Sequence, residues 1–152
     1  MSKAFTLAAV KAKAGSVLHL AFADGAEFDV DLRETIRRHP TLALLADPSV
    51  FKRAKLGPWG GTVTWGTDDL EMAADNLRAR AIEQSGGYSH EGIAEWMYRH
   101  GLTQQQAANA LGLSRRMLGY YLSGEKPVPR TVALACVGWD HAAHDQRFAL
   151  AA

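Results

Sequence analysis

Basic side chains are concentrated in one segment of an otherwise balanced chain. Residues 99–130 contain five arginines and lysines against one acidic residue, a net charge of +4, whereas residues 1–88 contain 11 of each sign. Such groups bind phosphates, and the planar fork of arginine can take both acceptors of a guanine edge. A solvated basic face is the alternative interpretation. Because Arg115 and Arg116 lie at the start of a predicted helix, we favour phosphate or base contact.

Other residues that could carry chemistry lack the partners that the chemistry needs. His141 and His144 are spaced i, i+3, but no cysteine pair or third ligand lies near them in the sequence, so we predict no metal site. Asp29 and Asp31 could do acid–base work, yet an exposed strand face explains them without catalysis. No nucleophile elbow or phosphate loop surrounds the serines and glycines. We therefore expect no catalytic residue, no cofactor and no enzyme activity.

A first short helix is predicted from Thr103 to Leu111, near the start of the basic segment. Thr103 is a good N-cap, and Gln106 lies three residues further on. This is the spacing of a capping box, in which each side chain satisfies a backbone donor at the helix start. Ala107 and Ala108 then fall on one face with Leu111. Their small side chains allow a crossing helix to approach closely.

A second short helix is predicted after a tight turn. Gly112 follows the first helix, where a residue that tolerates a positive φ is favoured, and Ser114 is the next N-cap. The second helix would run from Ser114 to Ser123 and close at Gly124. Its predicted core residues are Met117, Leu118 and Tyr121. Pro127 and Pro129 prevent the helix from continuing.

This order of features resembles a known DNA-binding motif. The pattern L-T-Q-x-x-A-A-x-x-L-G-L-S, followed by a helix and G-x-x-x-x-P, is similar to the helix-turn-helix of the lambda repressor and Cro class; an ordinary helical hairpin is the alternative. The resemblance implies that the first helix lies across the DNA backbone and that the second enters the major groove. It implies a set of DNA-contacting residues: Thr103, Gln104, Ser114, Arg115, Arg116, Tyr120 and Lys126.

Roles within this set follow from the resemblance and from chemistry. Gln104 is predicted to contact phosphate, helped by the attraction of a helix N-terminus for anions. Arg115 and Arg116 would face base edges, with Arg116 slightly favoured as the base reader. Because one such module reads only a few base pairs, we predict a homodimer on double-stranded DNA. Its contacts would come from an N-terminal sheet edge or from the C-terminal helix and tail, through Trp139, Phe148 and Leu150.

The N-terminal half is predicted to contain strands and short helices. Apolar and polar residues alternate in residues 17–22 and 27–32, and Asp24-Gly25 between them suits a hairpin turn. Phe5 to Lys13 is predicted as a third strand. Trp59 and Trp65 could stack a ligand, but we interpret them as core residues. The remaining predictions are a helix from Arg33 to His39, a second hairpin from Phe51 to Leu56 and Gly61 to Trp65, and a helix from Thr67 or Asp68 to about Ser85.

Short motifs in this half resemble a second family. F-x-D-G at Phe22–Gly25, V-D-L at Val30–Leu32, L-x-D-P at Leu45–Pro48 and V-x-W-G at Val63–Gly66 resemble the bacterial domain of unknown function twenty-four forty-two, over roughly residues 5–80. The family supplies no catalytic residues. Some members occur beside a small partner protein, which suggests an antitoxin-like role, and others carry a C-terminal helix-turn-helix.

The predicted boundary between the halves is Ser85-Gly86-Gly87, because adjacent glycines allow a hinge. We predict an α+β fold, with a small mixed α/β-hairpin domain at residues 1–85 and an all-α lambda-repressor-like helix-turn-helix domain at residues 88–152. The second domain would begin with a helix capped by Ser89 or His90, packed through Ile93, Trp96, Met97 and Tyr98. It would end with a helix from Thr131 to about His141.

Composition and cysteine content limit the class of protein. The chain has 152 residues, 47% hydrophobic and 22% charged, which are globular values. Cys136 is the only cysteine, so no internal disulfide is expected. Neither a signal peptide nor a membrane-length apolar stretch is evident, and we expect a cytoplasmic protein of bacterial or phage-like origin. The predicted function is sequence-specific DNA binding by a regulator; the alternative is an antitoxin-like or protein-interaction module.

Overall fold

The computed structural model describes residues 2–67 and 69–142, which form two compact units, Met1–Gln84 and Ser85–Ala152. The first unit contains antiparallel sheets and the second is helical, which confirms the predicted α+β class. Three residues named above, His144, Phe148 and Leu150, lie outside the described part of the chain, as does Asp68. Among the described helices, none is both long and apolar enough to cross a membrane.

The first sheet of the N-terminal unit follows a short 3₁₀ helix at Lys3–Phe5. It contains β1 (Leu7–Lys13), β2 (Val17–Phe22) and β3 (Glu27–Asp31), antiparallel and in that order. Alternation places Leu18, Leu20 and Val30 in the core with no exposed surface, because successive strand side chains point to opposite faces. The predicted turn between β2 and β3 is present, with Gly25 at a φ of 92°.

Short helical segments connect the two sheets of this unit. Helix α1 spans Arg33–Arg38, a 3₁₀ helix spans Pro40–Ala46, and α2 spans Pro48–Phe51. The predicted helix at Arg33 is therefore confirmed, and it ends where His39 precedes Pro40, a position that disfavours helical geometry. Phe51, predicted to start a strand, instead closes α2 and is buried.

The second sheet corrects one prediction. It contains β4 (Lys55–Leu56), β5 (Thr62–Thr64) and β6 (Glu71–Ala73), antiparallel in that order. The helix predicted from Thr67 or Asp68 begins only at Ala74, as α3 (Ala74–Gln84). Met72 is buried opposite Val63 of β5 while Glu71 is exposed, so pairing with a neighbouring strand outweighs the helix preference of these residues.

The two tryptophans of this region have opposite environments. Trp65 is buried and its indole Nε1 donates a hydrogen bond of 2.9 Å to the Phe51 carbonyl, as a core residue should. Trp59 is 86% exposed, so its predicted core position is wrong. It lies in the Pro58–Gly60 turn at a φ of 53°, next to Gly60, which is held against the Leu7 backbone. This close approach leaves the Trp59 side chain outside the core.

The C-terminal unit contains four described helices: α4 (His90–Arg99), α5 (Gln104–Leu111), α6 (Arg115–Leu122) and α7 (Arg130–Ala142). Its fully buried side chains are Ile93, Trp96, Ala107, Ala108, Leu118 and Cys136. Ser89 caps α4 as predicted, accepting a hydrogen bond from the Gly92 amide. Tyr98, predicted to pack, is 88% exposed, because two residues beyond Trp96 a helix has turned through about 200°.

Candidate nucleic-acid interface

Helix α5 begins with the predicted capping box. The Thr103 hydroxyl accepts a hydrogen bond of 3.2 Å from the Gln106 amide, and the Gln106 side-chain oxygen accepts one of 2.9 Å from the Thr103 amide. Two donors that a helix start leaves unpaired are thereby satisfied. The bonds fix the chain direction at the point where Gln104, exposed, enters the helix.

A left-handed glycine ends α5 and leads into α6. Gly112 has a φ of 69°, and the following Leu113 amide donates a hydrogen bond of 2.8 Å to the Ala108 carbonyl. Ser114 then caps α6 through its hydroxyl, which accepts a hydrogen bond of 3.1 Å from the Met117 amide. Cap, turn and second cap therefore occur where the residue types predicted them.

Small side chains hold the two helices together. Ala107 and Ala108 of α5 have no exposed surface and belong to the same buried cluster as Leu118 and Tyr121 of α6. Since alanine extends only one carbon from the backbone, the helices can approach closely. The opposite side of α6 is thereby left at the surface.

Arg115 and Arg116 occupy the first turn of that exposed side. Both side chains are exposed and directly follow the Ser114 cap. The N-terminus of a helix carries a partial positive charge and unpaired amides. Two guanidinium groups at this end therefore form a concentrated positive surface.

Tyr120 connects one of these arginines with Lys126. Arg116 Nε donates a hydrogen bond of 2.6 Å to the Tyr120 hydroxyl, and its guanidinium carbon lies 5.6 Å from the ring centroid. Lys126 Nζ lies 5.0 Å from the same centroid. The Arg116–Tyr120 contact could be predicted from the sequence, since the two residues are spaced i, i+4 on one helix. The contact between Lys126 and the Tyr120 ring could not be predicted, because Lys126 reaches the ring only after the chain has turned at Gly124.

These cations form no ion pair with a carboxylate in the described part of the chain. Among the residues that the structure describes, none forms an ion pair with Arg115, Arg116, Lys126 or Arg130. Cations in such a position are available to an external anion. The structure thus joins Arg116, Tyr120 and Lys126, whereas no described contact links Gln104 or Arg115 to them.

Arg99, counted in the basic segment, belongs to a different group. Its guanidinium lies 3.0 Å from Asp140 on α7 and 3.7 Å from Glu95. Asp140 also accepts from His100, and these two partners, His100 first, hold the pKa of the Asp140 carboxyl below its usual range. This group joins α4 to α7, so Arg99 is not part of the exposed cationic surface.

The candidate catalytic groups are occupied by structural contacts. Asp29 accepts hydrogen bonds from His19 (2.7 Å) and Lys13 (3.0 Å), which lower the pKa of its carboxyl, and Asp31 is paired with Arg33. Burial raises the pKa of the Cys136 thiol to about 11, so this cysteine stays neutral at ordinary pH. Within residues 2–67 and 69–142, no cluster of three His, Cys, Asp or Glu could hold a metal ion.

Known proteins resemble this two-unit α+β chain at the level of both family and structure. Residues 7–83 match the family described as Protein of unknown function (DUF2442), and the chain belongs to this family. It is also similar to a protein of Nitrosomonas europaea ATCC 19718 that carries the name "Putative DNA Binding Protein" in its crystal structure. That similarity is 39% identity over 100% of both chains, with a TM-score of 0.85. No curated protein matches the chain.

Proposed function

We propose that this protein is a regulator that binds double-stranded DNA sequence-specifically, with α5, the turn and α6 acting as a lambda-repressor-like helix-turn-helix. One observation carries the proposal. Arg115 and Arg116 lie exposed in the first turn of α6, with no carboxylate partner among the described residues. A purely structural pair of helices has no need of them.

The arrangement of α6 suits the major groove. The groove is about 12 Å wide and admits one α-helix, and in this motif the N-terminal end of the second helix approaches the base edges. Arg115 and Arg116 are at that end. A guanidinium can bind guanine through two parallel hydrogen bonds, which distinguishes it from the other bases.

The remaining predicted residues suit contacts to the backbone of the DNA. Gln104 and Lys126 are exposed, and the Thr103 and Ser114 hydroxyls still have a proton to donate after accepting their capping bonds. Such contacts orient a protein on the duplex and contribute affinity without sequence information. Tyr120 lies between the two groups of contacts through its bonds to Arg116 and Lys126.

Two further observations support the proposal. The similar Nitrosomonas protein is named for DNA binding. Helix α7 exposes Leu134 by 57% and Val137 by 46%, which provides an apolar face for the homodimer that a pseudo-palindromic site requires. Trp139 of the same helix, also predicted to contribute to the dimer, is half-buried and packs edge-to-face on Trp96 at 6.3 Å.

A protein-interaction role for the N-terminal unit is the second candidate. The observation in its favour is Trp59, which is 86% exposed on a backbone of positive φ. Tryptophan is over-represented among the residues that dominate binding energy at protein interfaces. In this candidate a small partner protein binds the first unit, and the helical unit serves autoregulation.

Selection of bound sequences from random duplex DNA with the full chain tests the proposal. We expect enrichment of a motif with two half-sites about 10 base pairs apart, the spacing of two-fold-related helices in successive major grooves. The double variant Arg115→Ala, Arg116→Ala is the control and should enrich nothing. Absence of any enriched motif with the unmodified protein would favour the interaction role instead.

A further inference from the structure

Arg116 and Arg115 differ in the DNA-free protein although they are adjacent. Arg116 Nε donates 2.6 Å to the Tyr120 hydroxyl. The Arg115 side chain has no hydrogen bond or ion pair with any described residue, and both side chains are exposed. One arginine is therefore held against its own helix, while the other is free to sample many rotamers.

The bond to Tyr120 uses only one donor of the Arg116 guanidinium. An arginine has five N–H donors, one on Nε and four on the two Nη atoms. Neither Nη atom has a hydrogen-bond partner in the described part of the chain, and the guanidinium carbon lies 5.6 Å from the Tyr120 ring centroid. The end that can bind the two acceptors of guanine stays available while the side chain is held.

Lys126 is held by a different part of the same tyrosine. Its backbone amide donates a hydrogen bond of 3.2 Å to the Tyr120 carbonyl, and its ammonium lies 5.0 Å from the ring centroid. A cation within about 6 Å of an aromatic face is attracted to it. The Tyr120 hydroxyl thus acts on Arg116, whereas its ring lies within about 6 Å of both cations.

We propose that Tyr120 is a positioning residue that fixes the Arg116 fork before DNA arrives and so makes Arg116, rather than Arg115, the base-reading side chain. The proposal rests on the DNA-binding function proposed above. Arginine loses much rotamer freedom when it is immobilised at an interface. Because Arg116 is already restricted by Tyr120, it loses less of that freedom on binding than Arg115 does.

A double-mutant cycle on DNA tests the coupling. Tyr120→Phe removes only the hydroxyl and keeps the ring under Lys126. We expect it to weaken binding to the selected operator about fivefold, roughly the value of one hydrogen bond, and to weaken binding to scrambled duplex less. In the Arg116→Ala background the same change should have no effect. An equal loss in both backgrounds would mean that the hydroxyl contacts DNA itself and would overturn the proposal.

A second measurement needs no DNA. Relaxation of the arginine ¹⁵Nε–H groups in the free full-length protein should show Arg116 ordered and Arg115 averaged, and Tyr120→Phe should make Arg116 more mobile without changing Arg115. Tyr98→Phe, the same change at an exposed tyrosine of α4, should alter neither. Equal mobility of both arginines in the unmodified protein refutes the positioning role, whatever the DNA result. Ordered Arg116 with full operator affinity in Arg116→Ala refutes the reader role of Arg116 alone, because the DNA-reading function fails only if the double variant Arg115→Ala, Arg116→Ala also keeps full operator affinity.

Discussion

The two units use their charged residues in different ways. In the N-terminal unit the arginines at positions 33, 37, 38 and 78 all pair with carboxylates of the same unit, at 2.6 to 2.8 Å. In the C-terminal unit, Arg115, Arg116 and Lys126 have no carboxylate partner among the described residues. Both units have ordinary apolar cores, so the difference lies at their surfaces.

This difference shows why net charge is a poor guide to function here. The N-terminal unit has 11 arginines and lysines, and five of them pair with carboxylates of the same unit: Lys13, Arg33, Arg37, Arg38 and Arg78. The second unit shows the same behaviour where Arg99 meets Asp140. Around α6, Arg115, Arg116 and Lys126 form no ion pair with any described residue, and Arg116 and Lys126 meet at one tyrosine. An external polyanion can therefore bind these cations.

The largest effect should come from the close approach that shapes the N-terminal unit. A Cβ on Gly60, at a φ of 71°, would collide with the Leu7 carbonyl oxygen. We expect Gly60→Ala to lower the free energy of unfolding of this unit by roughly 2–4 kcal/mol, from the left-handed backbone and the overlap together. Thermal or urea unfolding measures it.

Gly25→Ala is the matched control for the close approach. Its φ is 92°, but a Cβ there has open space, so it should cost only about 1 kcal/mol. If the units are independent, neither variant changes operator affinity. Equal losses at the two glycines would show that the contact with Leu7 is not what constrains Gly60.

The next effect concerns a cation used for structure. Arg78 has a side chain only 12% exposed; it lies 2.8 Å from Asp24 and 4.9 Å from the Phe22 ring centroid. Burial raises the pKa of the Asp24 carboxyl, but hydrogen bonds from Arg78 and the Ala26 amide outweigh this, and the net pKa lies below the ordinary 3.8. Asp24→Asn should destabilise the protein by about 1–2 kcal/mol at neutral pH.

The pH dependence of this pair has a definite sign. A carboxyl whose pKa is lowered by folding contributes stability above its ordinary pKa and loses it as the pH falls through the folded value. The difference in free energy of unfolding between the unmodified protein and Asp24→Asn should therefore close below pH 3.8. Glu34→Gln, at an exposed pair with Arg37, is the control and should cost less than about 0.5 kcal/mol. A gap independent of pH would contradict the role of the Asp24 charge.

A smaller effect is expected at the start of α5. Thr103→Ala removes one half of the capping box and should destabilise the C-terminal unit by about 1 kcal/mol. Thr103→Ser retains the hydroxyl and should cost much less. Chemical denaturation of residues 85–152 alone measures both and also tests the predicted domain independence. No cooperative transition in that fragment would show that the predicted boundary at residues 85–88 is wrong.

The smallest effect concerns phosphate contact by Lys126. Lys126→Ala should weaken binding to the operator and to scrambled duplex by the same factor. It should also reduce the slope of log affinity against log salt concentration by about 0.9. Lys55→Ala, at an exposed lysine of the other unit, should change neither. A loss confined to the operator would assign base contact to Lys126.

Local signals in the sequence explain why much of the helical unit could be predicted. The caps at Thr103 and Ser114 and the glycine at Gly112 act within one turn of chain, so residue type suffices to place them. The misassignments at β6 and Trp59 have long-range causes. β6 forms because β5 offers a partner, and Trp59 is displaced because Gly60 meets the Leu7 backbone. Residue periodicity contains neither contact.

The candidate site divides in the same way. The exposure of Arg115 and Arg116 was predictable from their place after a cap. The link from Arg116 to Lys126 through Tyr120 was not, because it depends on the path of the chain after Gly124. Charge pairing was predicted least well, since the partner of Arg99 lies 41 residues away on another helix.

Titration of the full chain against a selected operator and a scrambled duplex tests the central claim most directly. The double variant Arg115→Ala, Arg116→Ala should lose about 1–3 kcal/mol for each bidentate base contact removed and should bind the two duplexes alike. Arg37→Ala, Arg38→Ala removes the same charge from adjacent exposed arginines that pair with Glu34, and should bind the operator as tightly as the unmodified protein. Undiminished operator affinity in the Arg115, Arg116 variant would contradict DNA reading by α6 and favour the interaction role.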